Sequence, residues 1–261
     1  MTILDKIIKD KLIEVASSKE SASTKQLESE VLFDAPTISM VQSLSARPYG
    51  IIAEHKRRSP SRSVINDQVT VEDVAKGYEF AGVGGMSVLT DEKYFGGSLT
   101  DLVVARSNCQ LPLLRKEFII DEYQIIEAKA YGADAILLIA AVLSASQIKQ
   151  FSELAKSLDL NVLLEIHNAE ELKKSLVPSV DMIGVNNRNL KTFDVSLDTS
   201  KSLSKLIPDD YLKVSESGIS SVEAIQDLKD YGFQGFLIGE NFMKTENPGK
   251  SASEFIKTLN R

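Results

Sequence analysis

The sequence predicts an α/β fold, a (β/α)8 TIM barrel preceded by an N-terminal helical extension. From Gly50 onward, eight short apolar and β-branched runs alternate with amphipathic stretches, which is the pattern of parallel βα units. The chain has 261 residues, close to the roughly 250 that such a barrel needs. We therefore expect a single domain over 1–261, with the extension at 1–47 and the barrel at 48–261.

The extension contains two predicted helices. Apolar residues recur at helical spacing from Ile3 to Val15, and a second helix is expected over Thr37–Leu44. The polar, Ser-rich stretch Ser17–Thr24 is expected to be a connection within the extension.

The barrel strands follow in order, each bounded by turn residues or by an amphipathic stretch. We expect strands at Ile51–Glu54, Met86–Leu89, Pro112–Arg115, Ala135–Ile139, Val162–Glu165, Met182–Val185, Leu212–Ser215 and Gly235–Ile238. The intervening helices include Val71–Ala81, Tyr123–Tyr131, Ser146–Leu158, Ala169–Leu176 and Ser221–Tyr231. A doubly wound open sheet is the alternative, but it normally has a Gly-rich turn after its first strand, where this chain has KRRSPS.

Composition excludes several classes of protein. The chain is 43% hydrophobic and 26% charged, as is usual for globular proteins. Its net charge of −7 does not indicate a surface that binds nucleic acid. No apolar run reaches the roughly 20 residues that span a bilayer, and the N-terminus lacks a signal-peptide core. A single cysteine, Cys109, and two separated histidines form neither a disulfide framework nor a metal-ligand cluster. We expect a cytoplasmic protein with no nucleic acid, membrane or metal partner, and a structural Cys109.

The stretch IIAEHKRRSPS, residues 51–61, runs from the first strand into charged residues. Side chains alternate faces along a strand, so Glu54 and Lys56 point to one side while His55 points to the other. The active sites of these barrels lie at the carboxyl ends of the strands, which is where this acid and base stand.

Other strands end in the same way, with a polar residue two positions after an apolar residue or glycine. The polar strand-end residues are Glu54, Lys56, Lys116, Glu165, Asn186, Arg188, Glu216 and Ser217. Each alone could be a solvated strand terminus, but together they predict one pocket in which the charges neutralise one another or a ligand. After strands seven and eight, Gly218 and Gly239 begin the loops that often hold a phosphate in these barrels, which predicts a phosphorylated substrate.

Seven segments carry a resemblance to a known family. They are IIAEHKRRSPS, SVLTDEKYFGGS, PLLRKEFIIDEYQI, GADAILLI, IGVNNRNLKTF, VSESGI and GFLIGENFM. In this order they resemble the successive signatures of the indole-3-glycerol-phosphate synthases. The resemblance implies ring closure of 1-(2-carboxyphenylamino)-1-deoxyribulose 5-phosphate with loss of carbon dioxide and water, without metal or organic cofactor.

The resemblance also assigns roles to residues of this sequence. Lys116 matches the general acid, Glu165 the group that transfers a proton, and Lys56 the lysine that engages the substrate carboxylate. Glu54, Asn186 and Glu216 complete the implied catalytic set, Arg188 and Ser217 match substrate-binding positions, and Ser59, Gly218, Gly239 and Glu240 match phosphate-loop positions. A carboxylate at Glu240 would repel phosphate, so only its backbone is expected to contribute.

The chain departs from the family pattern at a few positions. His55 stands where an apolar residue is usual and is expected to pack away from the pocket, and His167 is also read as structural. Arg62 and Ser63 replace a Lys-Gly pair after SPS, and Asn189 replaces an Asp.

Two other functions stay open at this point. A Schiff-base aldolase could use Lys116 as its nucleophile, and a barrel of this kind could also be a non-catalytic phospho-ligand binder. The expected assembly of the chain is a monomer or weak homo-oligomer.

Overall fold

The computed structural model describes residues 2–190 and 192–261, in which eight parallel strands close into a barrel. The strands are β1 Gly50–His55, β2 Gly85–Leu89, β3 Leu113–Lys116, β4 Ala135–Ile139, β5 Asn161–Ile166, β6 Met182–Asn186, β7 Leu212–Glu216 and β8 Gly235–Ile238. Each strand pairs with the next, and β8 pairs with β1 to close the barrel. The predicted (β/α)8 TIM barrel is confirmed, and every predicted strand is present to within one residue at each end.

Helices precede the barrel, surround it and form parts of the connections between its strands. They are α1 Ile3–Ser21, α2 Thr24–Leu27, α3 Met40–Ser45, α4 Val71–Ala81, α5 Glu92–Phe95, α6 Leu99–Asn108, α7 Glu122–Ala130, α8 Ala145–Ser157, α9 Ala169–Lys173, α10 Asp198–Ser204, α11 Val222–Asp230, α12 Glu240–Met243 and α13 Pro248–Leu259. Within the described residues, none of these helices is both long and apolar enough to cross a membrane.

Strand alternation divides the core into two layers. One layer fills the barrel interior and includes Ile52, Leu114, Leu137, Leu163 and Val214. The other lies between strands and outer helices and includes Ile51, Val88, Ile136, Val162 and Phe236. Both faces of the sheet are therefore buried, as in parallel barrels generally.

The N-terminal end of the barrel is closed by α3. Its Met40 and Leu44 are fully buried and belong to the interior layer. Gly85 makes this approach possible, because a Cβ atom there would lie 2.4 Å from the sulfur of Met40. Because α3 closes this end of the barrel, the opposite end is the one available for a functional site.

Two predictions for the extension were wrong in their bounds. The first helix continues to Ser21, through most of the stretch predicted to be a connection, and the helix predicted at Thr37 begins at Met40. The end of the first helix contacts the start of α7, where the Tyr123 hydroxyl donates to the Ser18 carbonyl and the half-exposed Lys19 pairs with Asp121 at 2.6 Å. Tertiary contacts here outweigh the weak helix propensity of serine.

His55 lies in the outer core layer, as predicted, with only 1% of its surface exposed. Neither ring nitrogen has a hydrogen-bond partner among the described residues. Burial, and then the nearby Arg57 guanidinium, lower the pKa of His55 to about 4, although Asp101 and Glu54 act in the opposite direction. The folded protein therefore keeps this imidazole neutral.

Replacing His55 with leucine should make the protein less sensitive to acid. The unfolded chain takes up a proton at this histidine near pH 6.5, whereas the folded chain does so only near pH 4. The stability contributed by neutral His55 is full above pH 6.5 and is lost as the pH falls towards 4. Urea unfolding measures the free energy of unfolding at pH 7 and at pH 4. Its decrease between these two pH values should be about 3 kcal/mol smaller in His55→Leu than in wild type. Parallel pH dependence in the two proteins would contradict this.

Candidate active site

The carboxyl ends of the strands surround a cavity of about 400 Å³. Every residue that the sequence analysis assigned to the site lines it: Glu54, Lys56, Ser59, Lys116, Glu165, Asn186, Arg188, Glu216, Ser217, Gly218, Gly239 and Glu240. They come from β1, β3, β5, β6 and β7, from the loops after β1, β6, β7 and β8, and from the first residue of α12, and barrel closure brings them together.

Four charged side chains form a row across the floor of this cavity. The Lys56 ammonium lies 2.7 Å from Oε1 of Glu54, and the Lys116 ammonium lies 3.6 Å from Oε2 of the same carboxylate. Lys116 also donates a 2.8 Å hydrogen bond to Oε2 of Glu216. The predicted pairing of Glu54 with Lys56 is present, and Glu54 bridges the two lysines.

These contacts determine the charges of the row. Burial alone would lower the pKa of Lys116, but Glu216, Glu54 and Glu165 raise it well above its ordinary value. Burial would raise the pKa of Glu54, but Lys56 and Lys116 outweigh this and lower it. Lys116 is therefore a firmly protonated ammonium, which suits a proton donor and not a nucleophile.

Glu216 differs from Glu54. Burial raises its pKa to about 7, because the attraction of Lys116 is offset by the nearby carboxylates of Glu165 and Glu54. Its Oε1 atom is buried without a hydrogen-bond partner among the described residues. Burial and the repulsion from Glu165 and Glu54 thus outweigh the attraction of Lys116, so Glu216 takes up a proton near neutral pH.

Two glycines leave room for these carboxylates. A Cβ at Gly184 would lie 2.3 Å from Oε1 of Glu216, and one at Gly239 would lie 2.6 Å from Oε1 of Glu54. Gly239 was predicted only as a phosphate-loop residue. Its second effect, to let Glu54 turn towards Lys56, could not be read from the sequence.

His167 lies beside Glu165, although the sequence analysis gave it only a structural role. Its Nε2 atom is 3.4 Å from Oε1 of Glu165. The two residues are two positions apart at the end of β5, so strand alternation places them on one face. The same rule that paired Glu54 with Lys56 could have found this pair.

One wall of the cavity is apolar and was not predicted. Ile3, Leu4 and Ile7 of α1 contribute to it, together with Phe95 and Phe118, whose ring centroids are 6.0 Å apart. The signal in the sequence was the apolar face of α1, but nothing local shows that this face covers the barrel mouth. Such a wall fits a flat aromatic group beside the charged row.

The loops after β1, β7 and β8 meet at another part of the rim. Ser217 and Gly218 both have positive φ, at 68° and 78°, and the side-chain amide of Asn187 donates to the Ser217 carbonyl at 3.1 Å. The Glu240 carboxylate, expected to repel phosphate, is paired with the Arg62 guanidinium at 2.5 Å. Arg62, which departs from the family pattern, thus offsets the charge of Glu240.

Asn186 and Arg188 extend β6 into the rim. The side-chain oxygen of Asn186 accepts a 3.0 Å hydrogen bond from the Arg188 backbone, and the Arg188 guanidinium donates to the Phe193 carbonyl at 3.3 Å. Lys191 of the same motif lies outside the described residues. Across the described ranges, no group of three or more His, Cys, Asp or Glu side chains is arranged to hold a metal ion.

Comparison with known proteins gives consistent sequence matches. A family model described as indole-3-glycerol phosphate synthase matches residues 4–255. A protein of that name from Bacteroides thetaiotaomicron is 47% identical over 257 residues, covering 98% of each chain. Another from Acinetobacter baylyi is 42% identical, covering 98% of this chain and 96% of its own length.

A solved structure similar to this chain supports the fold alone. KGPDC from Streptococcus mutans superposes with a TM-score of 0.63 at 12% identity, covering 82% of this chain and 99% of that one.

Proposed function

The chain belongs to the indole-3-glycerol phosphate synthase family, a family of decarboxylating lyases in tryptophan biosynthesis, and we propose how its residues carry out that reaction. The proposed substrate is 1-(2-carboxyphenylamino)-1-deoxyribulose 5-phosphate. It has an anionic carboxylate, a flat ring, a ketone and a phosphate. The cavity offers two lysines, an apolar wall and a rim of glycine loops for these groups.

The observation that carries the assignment is the Lys116 ammonium, held by Glu216 and Glu54 in the cavity floor. When the ring carbon attacks the ketone, negative charge develops on the ketone oxygen. An ammonium fixed at this point stabilises that charge and donates its proton, as a general acid does. The raised pKa of Lys116 ensures that it enters the reaction protonated.

The protons that the substrate gains and loses require a second catalytic group, a proton acceptor. The ketone oxygen receives one proton at ring closure and another before it departs as water, while one proton leaves carbon as the indole ring forms. With the substrate as a carboxylate, the turnover consumes one proton overall. Glu165 faces the cavity on β5 and serves as the acceptor of the carbon-bound proton.

The remaining residues orient the substrate. Lys56 engages the substrate carboxylate and shares the acid function, and Glu54 fixes both lysines. Asn186 and Glu216 complete the catalytic set, and Arg188 and Ser217 bind substrate. Small displacements matter here, since about 1 Å of misplacement can cost on the order of a hundredfold in rate.

The phosphate is proposed to bind at the rim formed by three loops. Ser59 offers a hydroxyl, Gly218 and Gly239 offer backbone N–H groups before α11 and α12, and Glu240 offers the N–H group of the first residue of α12. Arg62 pairs with Glu240, which removes the repulsion that a free carboxylate would exert on the phosphate.

We further propose a single domain over 1–261, with the extension at 1–47 contributing α1 to the site of the barrel at 48–261. The protein is proposed to act in the cytoplasm as a monomer or weak homo-oligomer. Its partner is the phosphorylated small molecule, without nucleic acid, membrane, metal or organic cofactor.

The test is growth of indole fluorescence when purified protein is mixed with the proposed substrate. The chain contains no tryptophan, so product emission is read against a low background. Wild type should produce the signal, and Glu165→Gln should lower kcat by about 10²- to 10⁴-fold. A folded wild type without signal would contradict the proposal, and a lysine adduct trapped by borohydride would favour the aldolase instead.

A further inference from the structure

The Glu165 carboxylate has one basic neighbour in the described part of the chain. Among residues 2–190 and 192–261, the imidazole of His167 is the only basic side chain within 4.0 Å of it, at 3.4 Å between Nε2 and Oε1. Lys116 is hydrogen-bonded to Glu216, and Glu165 helps to raise its pKa without forming an ion pair with it. The immediate surroundings of Glu165 therefore depend on His167.

His167 is held in one orientation by Glu171. Oε2 of Glu171 lies 3.1 Å from Nδ1 of His167 and also accepts the backbone N–H of His167 at 2.8 Å. Glu171 is fixed in turn by Asn168, which donates to its Oε1 at 2.8 Å and caps α9 by accepting its backbone N–H at 2.9 Å. A carboxylate must receive a proton in such a contact, which assigns a proton to Nδ1.

This anchoring turns the other ring nitrogen towards Glu165. Nε2 of His167 is buried and has no hydrogen-bond partner among residues 2–190 and 192–261. The Nε2 atom lies 3.4 Å from the carboxylate oxygen, so a small movement of either side chain brings the two atoms to a normal hydrogen-bond distance. Catalytic hydrogen bonds often tighten in this way only when substrate binds.

We propose that His167 is a positioning residue for the lyase reaction: its Nε2–H group holds the Glu165 carboxylate in the orientation that accepts the carbon-bound proton. This rests on the proposed function, in which Glu165 accepts a proton from carbon. A carboxylate can accept that proton only while it is ionised. It must also be directed at that carbon, and a hydrogen bond from the Nε2–H group of a protonated His167 fixes this direction.

The charges around His167 favour this state. Burial would lower the pKa of His167, but Glu171 on α9, Glu165 on β5 and Glu216 on β7 raise it above its ordinary value. Glu216 is itself paired with Lys116, so its effect on His167 is the most screened of the three. The raised pKa therefore favours the protonated imidazole, which carries the Nε2–H group that faces Glu165.

The direct test is a proton NMR titration of the histidine ring signals. The chain has only two histidines, so the buried His55 serves as the internal reference. In Glu165→Gln, the pKa of His167 should fall below its wild-type value while that of His55 stays unchanged. An unchanged His167 titration would overturn the proposal. This measurement needs no turnover, so it distinguishes failure of the inference from failure of the proposed function.

A kinetic test separates positioning from general structural damage. In His167→Gln, kcat should fall roughly tenfold near pH 6, where the wild-type imidazole is protonated and donates to Glu165, and the difference from wild type should narrow as the pH rises and the imidazole loses that proton. Equal loss at every pH, or an unchanged profile, would overturn the proposal. Should His167→Gln fail to fold, Glu171→Gln keeps the ring but removes the carboxylate that holds it, and it should also lower kcat most strongly at low pH.

Discussion

Replacing Lys116 with methionine is expected to lower kcat by about a thousandfold, within the range measured for loss of a general acid. Methionine keeps the length and apolar stem of lysine but cannot donate a proton. The fold should persist, because Glu216 has a pKa of about 7 and can take up a proton once its partner is gone. The fluorescence assay measures kcat, and circular dichroism verifies folding.

Lys116→Arg distinguishes the proton of Lys116 from its charge. A guanidinium keeps the positive charge between Glu216 and Glu54 but does not release a proton near neutral pH. We expect stability close to wild type and kcat almost as low as in Lys116→Met. Near-normal kcat in Lys116→Met would exclude Lys116 as the general acid, and recovery in Lys116→Arg would show that charge alone suffices.

The sequence predicted the site well wherever strand periodicity was sufficient. Alternation placed Glu54 with Lys56 and set His55 on the opposite face, and both placements are found in the structure. The same alternation predicted that Lys116, Glu165, Asn186 and Glu216 lie at the carboxyl ends of the strands, next to the residues that fill the barrel interior. Once eight strands close into a barrel, such residues must converge at one mouth.

The contacts between distant residues could not be predicted in this way. Lys116 and Glu216 are 100 positions apart in the chain, and their 2.8 Å contact depends on the register of every strand between them. The pairing of Arg62 with Glu240 likewise joins loops at opposite ends of the barrel sequence. Local patterns report faces and spacings, but not which charges meet across a closed sheet.

Lys11 is the clearest example of a residue that local sequence misrepresents. On α1 it resembles an ordinary solvated lysine, yet its side chain is 1% exposed. Its ammonium lies 2.9 Å from each of Asp91, Glu117 and Glu14. Asp91 follows β2 and Glu117 follows β3, so this cluster ties α1 to the barrel mouth next to Lys116.

Lys11→Met should therefore lower the free energy of unfolding by about 3–5 kcal/mol, because it leaves two buried carboxylates without their shared cation. The Asp91 and Glu117 side chains are each only 1% exposed, so water cannot replace the lost contact. KM should also rise, since Ile3, Leu4 and Ile7 of α1 form part of the cavity wall. Urea unfolding and steady-state kinetics measure the two effects.

The matched control is Lys19→Met, the same substitution two turns later on α1. Lys19 pairs with Asp121 at 2.6 Å, but its side chain is 46% exposed, so its loss should cost below about 1 kcal/mol. Similar losses in the two variants would mean that burial does not set the strength of the Lys11 cluster. A large loss in Lys11→Met alone, with raised KM, would show that one buried ammonium both attaches the extension and shapes the substrate pocket.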